Sequence, residues 1–257
     1  MKIIQITGMN SKQEKNIPMA LDSTSNMWSR IIMDRATYKM MCVLDFRNFN
    51  VLELSGDKWR NFGFKSYKSL FYPEFDICED VLDEKFDLII AEQVFEHLLY
   101  PYRAAKNINA MLKNGGYFLN TSPFLVKYHP EPNDCTRWTE TGMKYFLSEC
   151  GFPLEKILTG SWGNLDCALA NFGPNWILFN ETRHSLENNP KLPIHIWVLA
   201  EKQFSFLLWF EGLITKKKRI KKVSMKAQLY KEKLKFAVFS PIKFIKKYYK
   251  ILEDIIK

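Results

Sequence analysis

The chain has 257 residues, 47% of them hydrophobic and 15% aromatic, enough for one sizeable domain with an appendage but not for two large ones. No run of about 18 uninterrupted apolar residues exists, which argues against a transmembrane helix. The net charge of +9 is carried by one end: 16 of the 37 Lys/Arg and only 5 of the 28 Asp/Glu lie from Glu201 onward, leaving 21 against 23 before it. Arguments from charge about a membrane or nucleic acid therefore concern that tail alone.

Residues 1 to about 22 show little periodicity. Met27, Ile31, Ile32, Tyr38, Met41 and Cys42 then recur at helical spacing, with Ser23 to Ser25 as cap candidates. "VLELS" reads as a strand running into a turn, and "FKSYKSL" as a second strand. A short third strand is expected around Asp76 and Ile77. "FDLIIAE" is a continuous apolar run, the mark of a central parallel strand buried on both faces. "PYRAAKNINAMLKNGG" reads as a helix with Pro101 in its first turn and Gly115-Gly116 as its stop. "YFLNTSPF" is the next strand. "TETGMKYFLSECGF" is a helix with a Thr cap, closed at Gly151.

From 160 to about 195 the text turns irregular, and Trp162, Phe172, Trp176 and Phe179 there call for burial. "IHIWVLAEK" is a final strand, and two basic helices interrupted at Pro241 complete the chain. The alternation predicts an α/β fold, a mostly parallel sheet with helices on both faces. The division expected is a domain over 23–200, with its core at 48–155 and a loop-rich extension at 160–195, followed by a tail over 201–257.

The five scattered cysteines form no CxxC pair and no Cys/His cluster of zinc spacing, so no metal site is read from the sequence. Without a recognisable secretion signal they fit reduced thiols in cytoplasm. Glu53, inside an apolar strand, is costly unless paired, which favours a role near a ligand over an exposed position. Ser55 and Gly56 would form the tight turn after it, Gly56 admitting backbone close to a ligand and Ser55 keeping a negative φ. Glu92 and Gln93 end the fourth strand, where open α/β sheets place their ligands. His97 suits a base by its ordinary pKa, and equally a residue that orients its loop.

"HPEPNDCTRW" packs His129, Asp134 and Arg137 into a connector stiffened by prolines. In one reading His129 or Asp134 takes a proton while Arg137 and Trp138 meet substrate. In the other, Asp134 and Arg137 pair with each other and Thr139 caps the next helix.

"FDLIIAEQVFEHLLYPYRAAKNINAMLKNGGYFLNTSPF" resembles the class I S-adenosylmethionine-dependent methyltransferases of the type 11 group. The likeness lies in the strand opening on Phe86-Asp87, the Phe95-Glu96-His97 loop, the Gly115-Gly116 turn and Pro123. "YHPEPNDCTRWTETGMKYFLSECGF" resembles a later segment of bacterial members, and the match covers roughly 48–155. The resemblance implies a Rossmann-like methyltransferase fold and S-adenosylmethionine as cofactor. It places Glu53, Ser55, Gly56, Asp76, Ile77, Glu92 and Gln93 around the cofactor, with Asp76 holding the adenine amino group and Glu53 facing the methionine portion.

Two departures stand out. The family's glycine-rich first loop retains only its acid and one glycine here, and the acid that ends its second strand is replaced by Leu70 to Tyr72, with Glu74 the nearest carboxylate. The expected activity is methyl transfer to a small or sugar-like acceptor such as a surface-glycan precursor. A catalytically inactive methyltransferase-like scaffold is the alternative. For the tail, contact with the inner face of a membrane is set against packing on the domain or a second subunit, with nucleic acid well below both. The oligomeric state is left open.

Overall fold

The computed structural model describes residues 26–203; the lead-in before them and the basic tail beyond lie outside the described residues. Six strands form one sheet in the order β2-β1-β3-β4-β6-β5. They are β1 (Asn50–Leu54), β2 (Ser66–Leu70), β3 (Phe86–Glu92), β4 (Leu112–Pro123), β5 (Ile157–Trp162) and β6 (His195–Glu201). β1 pairs in parallel with β2 and β3, and β3 with β4. β6 runs antiparallel to both β4 and β5, so it alone is reversed. The sheet is mixed but mostly parallel, and among the described residues no helix is long and apolar enough to cross a membrane.

Alternate side chains of the buried strands feed two cores, one on each face. Leu52, Ile89, Phe118 and Val198 pack against α2 (Pro101–Met111) and α3 (Glu140–Glu149). Val51, Leu88, Ile90 and Leu199 pack against α1 (Ile31–Cys42) and α4 (Leu165–Asn171). α3 begins where its sequence says it should, the Thr139 hydroxyl accepting from the Gly142 N–H at 3.0 Å.

Three elements differ from the sequence reading. No third strand forms at Asp76 and Ile77: Asp76 heads a tight turn, its Oδ1 accepting from the Cys78 N–H at 2.9 Å and its carbonyl from the N–H groups of Glu79 and Asp80. Gly115-Gly116 do not stop α2, which ends at Met111. They lie inside β4, where the register to β3 jumps, and a Cβ on Gly116 would stand 3.0–3.1 Å from three backbone carbonyls.

The irregular stretch, in turn, contains β5 and α4. The strand is hard to see because Gly160 sits at its centre, and the glycine is there because a Cβ would stand 2.5 Å from Trp197 Nε1 on the neighbouring strand. The rest of the extension is tied to the segment entering α1. Trp28 N–H donates to Ile177, Phe179 N–H to Asn26, and Trp28 Nε1 to Ser185, while the Trp28 ring stacks on His184 at 4.0 Å. Trp162 is buried as expected, whereas Phe172 and Trp176 remain exposed at 55% and 39%.

Gly160→Ala drives a methyl group into the Trp197 indole and is expected to cost about 1–3 kcal/mol. Urea denaturation of the variant against the parent checks this.

Candidate active site

The parallel strands diverge at β1, whose neighbours β2 and β3 lie on opposite sides, and ligands in open α/β sheets bind beyond the carboxyl ends at such a point. The loop that leaves β1 there is built from charge rather than glycine. Glu53 is 1% exposed and turns its carboxylate under its own loop. It accepts from the backbone N–H of Lys58 at 3.2 Å, from that of Trp59 at 3.1 Å and from the Tyr67 hydroxyl at 2.6 Å. Burial pushes the Glu53 carboxyl upward, and burial together with Glu53 pushes the Tyr67 phenol well above its ordinary value.

Gly56 is required by the same carboxylate, since a Cβ there would lie 2.6 Å from Glu53 Oε1. Ser55 does not keep a negative φ. It stands at +52°, a left-handed conformation that costs a side-chain-bearing residue about 1–2 kcal/mol. Beneath the loop, Lys58 Nζ reaches Asp34 Oδ1 on α1 at 2.7 Å and Glu92 Oε2 at the end of β3 at 3.0 Å. Burial opposes the charge on Lys58, but Glu92 and Asp34 outweigh it and hold the ammonium protonated.

Two cavities open above this floor. The larger, about 400 Å³, runs past Ser55, Leu70, Tyr72, Asp76 and Ile77. The smaller, about 190 Å³, is lined by Arg30, Glu96, His97, His129, Trp176 and His195, among others. Gln93 and His97 line both. Gln93 has a positive φ of 55° and is pinned to β4, its backbone N–H donating to the Thr121 carbonyl at 2.9 Å and its Nε2 to Thr121 Oγ1 at 3.1 Å.

His97 Nδ1 meets the Asn133 carbonyl, His129 Nδ1 meets the Lys127 carbonyl at 3.0 Å, and the two rings stand 5.2 Å apart, nearly perpendicular. Glu96 is fully buried, neither carboxylate oxygen has a hydrogen-bond partner, and burial pushes its pKa up to about 8. Burial lowers His195 to about 3, so it is neutral.

A profile described as a methyltransferase domain matches residues 28–146, from the entry to α1 through most of α3. These residues, just under half of the chain, are similar to a methyltransferase domain. The match includes Gln93 and His97, the two residues that line both cavities. No curated protein matches the chain.

Among solved structures, the CurJ carbon methyltransferase is 14% identical over 69% of this chain and 54% of that one, with a TM-score of 0.42, so the chain spans about half the length of that protein. A methyltransferase from Archaeoglobus fulgidus is 12% identical over 68% of this chain and 94% of that one, at 0.45. One from Mesorhizobium loti is 12% identical over 68% and 98%, at 0.40.

The fold distributes the residues singled out in the sequence unevenly. Ser55, Asp76, Ile77, Gln93 and His97 line the larger cavity, and His129 the smaller. Glu53 faces its own loop instead of the open cavity, because two N–H groups of that loop and the Tyr67 hydroxyl on β2 satisfy it. Glu92 is held by Lys58 and lines neither cavity. Glu74 is exposed and away from both.

Asp134 accepts from both Arg137 Nη atoms, Nη2 at 2.7 Å, and from the His129 N–H at 2.9 Å. Arg137 is thus occupied by Asp134 rather than open to a substrate anion, and its pull holds the Asp134 carboxyl at about 2. Asp134 is in this way a positioning group for His129 more than a proton acceptor. Trp138 packs on Phe146 at 4.6 Å and lines neither cavity.

The residues missed in the sequence, Arg30, Glu96, Trp176 and His195, come from four separate segments. Glu96 sat inside the stretch that carried the family likeness, Trp176 was read as a core residue and His195 as part of the last strand.

Because Asp134 has a depressed folded pKa, its contribution to stability is fully present above the ordinary value of 3.8 and lost as pH falls through about 2. Asp134→Asn is therefore expected to destabilise the protein by about 1–2 kcal/mol near neutral pH, the difference vanishing in that acid window. Urea midpoints of parent and variant across pH check it.

Proposed function

We propose that the larger cavity holds S-adenosylmethionine and that the smaller one presents a hydroxyl of a small or sugar-like acceptor, a glycan precursor being the class favoured. The observation that carries this reading is that the two cavities share Gln93 and His97, so a group bound in one faces a group bound in the other. The larger cavity fits the cofactor. Its volume falls within the roughly 300–1,000 Å³ usual for such ligands, it lies at the switch point of the sheet, and it offers a carboxylate at Asp76 beside the apolar Ile77.

Bound there, the cofactor supplies a methyl group already activated by its sulfonium. The chain's own residues then have to align, desolvate and deprotonate. The smaller cavity, about 190 Å³, lies below that range and admits one ring or short chain at a time. Trp176 gives it a flat aromatic wall with Lys127 Nζ 4.5 Å from its ring centroid, and Arg30 gives it a cation. The imidazoles of His97 and His129 stand where the acceptor oxygen enters, each with one nitrogen bound to a carbonyl and the other left for the cavity.

Calorimetry with S-adenosylmethionine is expected to give saturable micromolar binding, weakened about tenfold in Asp76→Ala. With monosaccharides and nucleotide-linked sugars as acceptors, mass spectrometry should find a product heavier by one methylene unit. His97→Asn should lower kcat/KM by about 10²–10⁴-fold, while Trp176→Ala acts mainly on the acceptor's KM. A folded protein that ignores the cofactor up to millimolar concentration would sink the reading.

A further inference from the structure

Glu96 poses a problem that the methyl-transfer reading leaves unsolved. Its side chain is 0% exposed, and neither oxygen has a hydrogen-bond partner. An isolated buried carboxylate is among the most costly groups a fold can carry, and buried polar atoms are nearly always satisfied. Among the described residues no ion pair joins it to Arg30 or Arg137; the ionisable side chain within 4 Å is His97, whose Nε2 lies 3.7 Å from Glu96 Oε1.

The histidines around it are oriented in one particular way. A carbonyl oxygen only accepts, so the contacts of His97 Nδ1 with Asn133 and of His129 Nδ1 with Lys127 put a hydrogen on each Nδ1, and the neutral ring then carries its lone pair on Nε2. That is the arrangement in which a backbone carbonyl fixes an imidazole for metal ligation through its far nitrogen. One ligand atom from each of Glu96, His97 and His129 lies within 4.8 Å of the other two. A cation bonded at about 2.0–2.2 Å would draw each inward by roughly half an ångström.

We propose that Glu96, His97 and His129 bind a divalent transition-metal cation, zinc before others, in the smaller cavity. Two imidazoles and one carboxylate suit zinc and its neighbours, whereas magnesium and calcium favour oxygen alone. Three protein ligands leave a coordination position open to the cavity, as catalytic zinc sites do. Asp134, which holds the His129 backbone, and the Asn133 and Lys127 carbonyls form the outer support.

The role of the cation rests on the methyl-transfer reading. The acceptor hydroxyl takes the open position and releases its proton to water. The oxygen then bonds to the methyl carbon as the carbon–sulfur bond breaks, its electron pair returning to sulfur, to give a methyl ether and S-adenosylhomocysteine. The sequence hid this site because Glu96 and His97 are adjacent while His129 lies on a separate loop, a spacing unlike any structural zinc motif.

The test uses the full chain, stripped with chelator and titrated with zinc chloride alone by calorimetry. One equivalent should bind, at least about 100-fold more weakly in Glu96→Gln, His97→Asn and His129→Asn, and unchanged in His184→Asn, which lies outside the cavity. A second reading guards against misfolding. In chelator Glu96→Gln should melt no lower than the parent, since neither Glu96 oxygen has a hydrogen-bond partner to lose. Added zinc should raise the parent's melting temperature and not the variant's. A folded parent that takes up no zinc at millimolar concentration, or variants that bind it as well as the parent, would overturn the proposal. Neither measurement involves the cofactor or an acceptor, so the metal site and methyl transfer stand or fall separately.

Discussion

Under the loop that leaves β1 lie a carboxylate and an ammonium that between them hold four elements in place. Glu53 gathers two backbone N–H groups of its own loop and the hydroxyl of Tyr67 on β2. Lys58, five residues on, joins α1 through Asp34 and the end of β3 through Glu92. All four charged side chains are at most 20% exposed, so each is costly alone and stable only because the others are there. This network sets the path of the loop, and with it the mouth of the larger cavity. A glycine-rich turn reaches a similar end by having no side chains. Here the chain reaches it with one glycine, where Glu53 needs the space, and a serine held at positive φ by the surrounding contacts.

Legibility in the sequence followed how local each signal was. The apolar run 86–92, the Thr139 cap and the Pro101 helix start are set by neighbours in the chain, and they stand where the pattern put them. β5 is not local in that sense. Its central glycine answers to Trp197 on another strand, so it read as a loop. The turn at Asp76 looked like a strand because a short apolar pair carries no periodicity to decide between the two.

The site divided along the same line. Asp76, Gln93 and His97 sit on the segments that follow β2 and β3 and were visible from sequence. Glu53 was visible as a buried acid, but not the direction it faces, because its partners are backbone groups that no residue pattern displays. Arg30, Trp176 and His195 were invisible as a group, since the pairing of the 177–185 segment with the entry to α1 brings the first two to the cavity and the sheet pairing of β6 brings the third.

Taken together, one face of the junction is apolar and shaped, and the other is polar and concentrated in Glu96, His97 and His129. That asymmetry is what alkyl transfer from a preactivated donor asks of a protein: a fitted seat for the donor, and a means of making the acceptor oxygen a better nucleophile. Asp134 and Arg137 belong to the frame of the second face. They stiffen the loop that carries His129, and their own charges are spent on each other.

The most direct measurement of where the donor sits is amide hydrogen exchange on the full chain with and without S-adenosylhomocysteine. The account predicts slowed exchange in 54–58, 70–78 and 93–99, the segments around the larger cavity, and little change in α3. Binding accompanied by protection elsewhere, with those three segments unaffected, would contradict it.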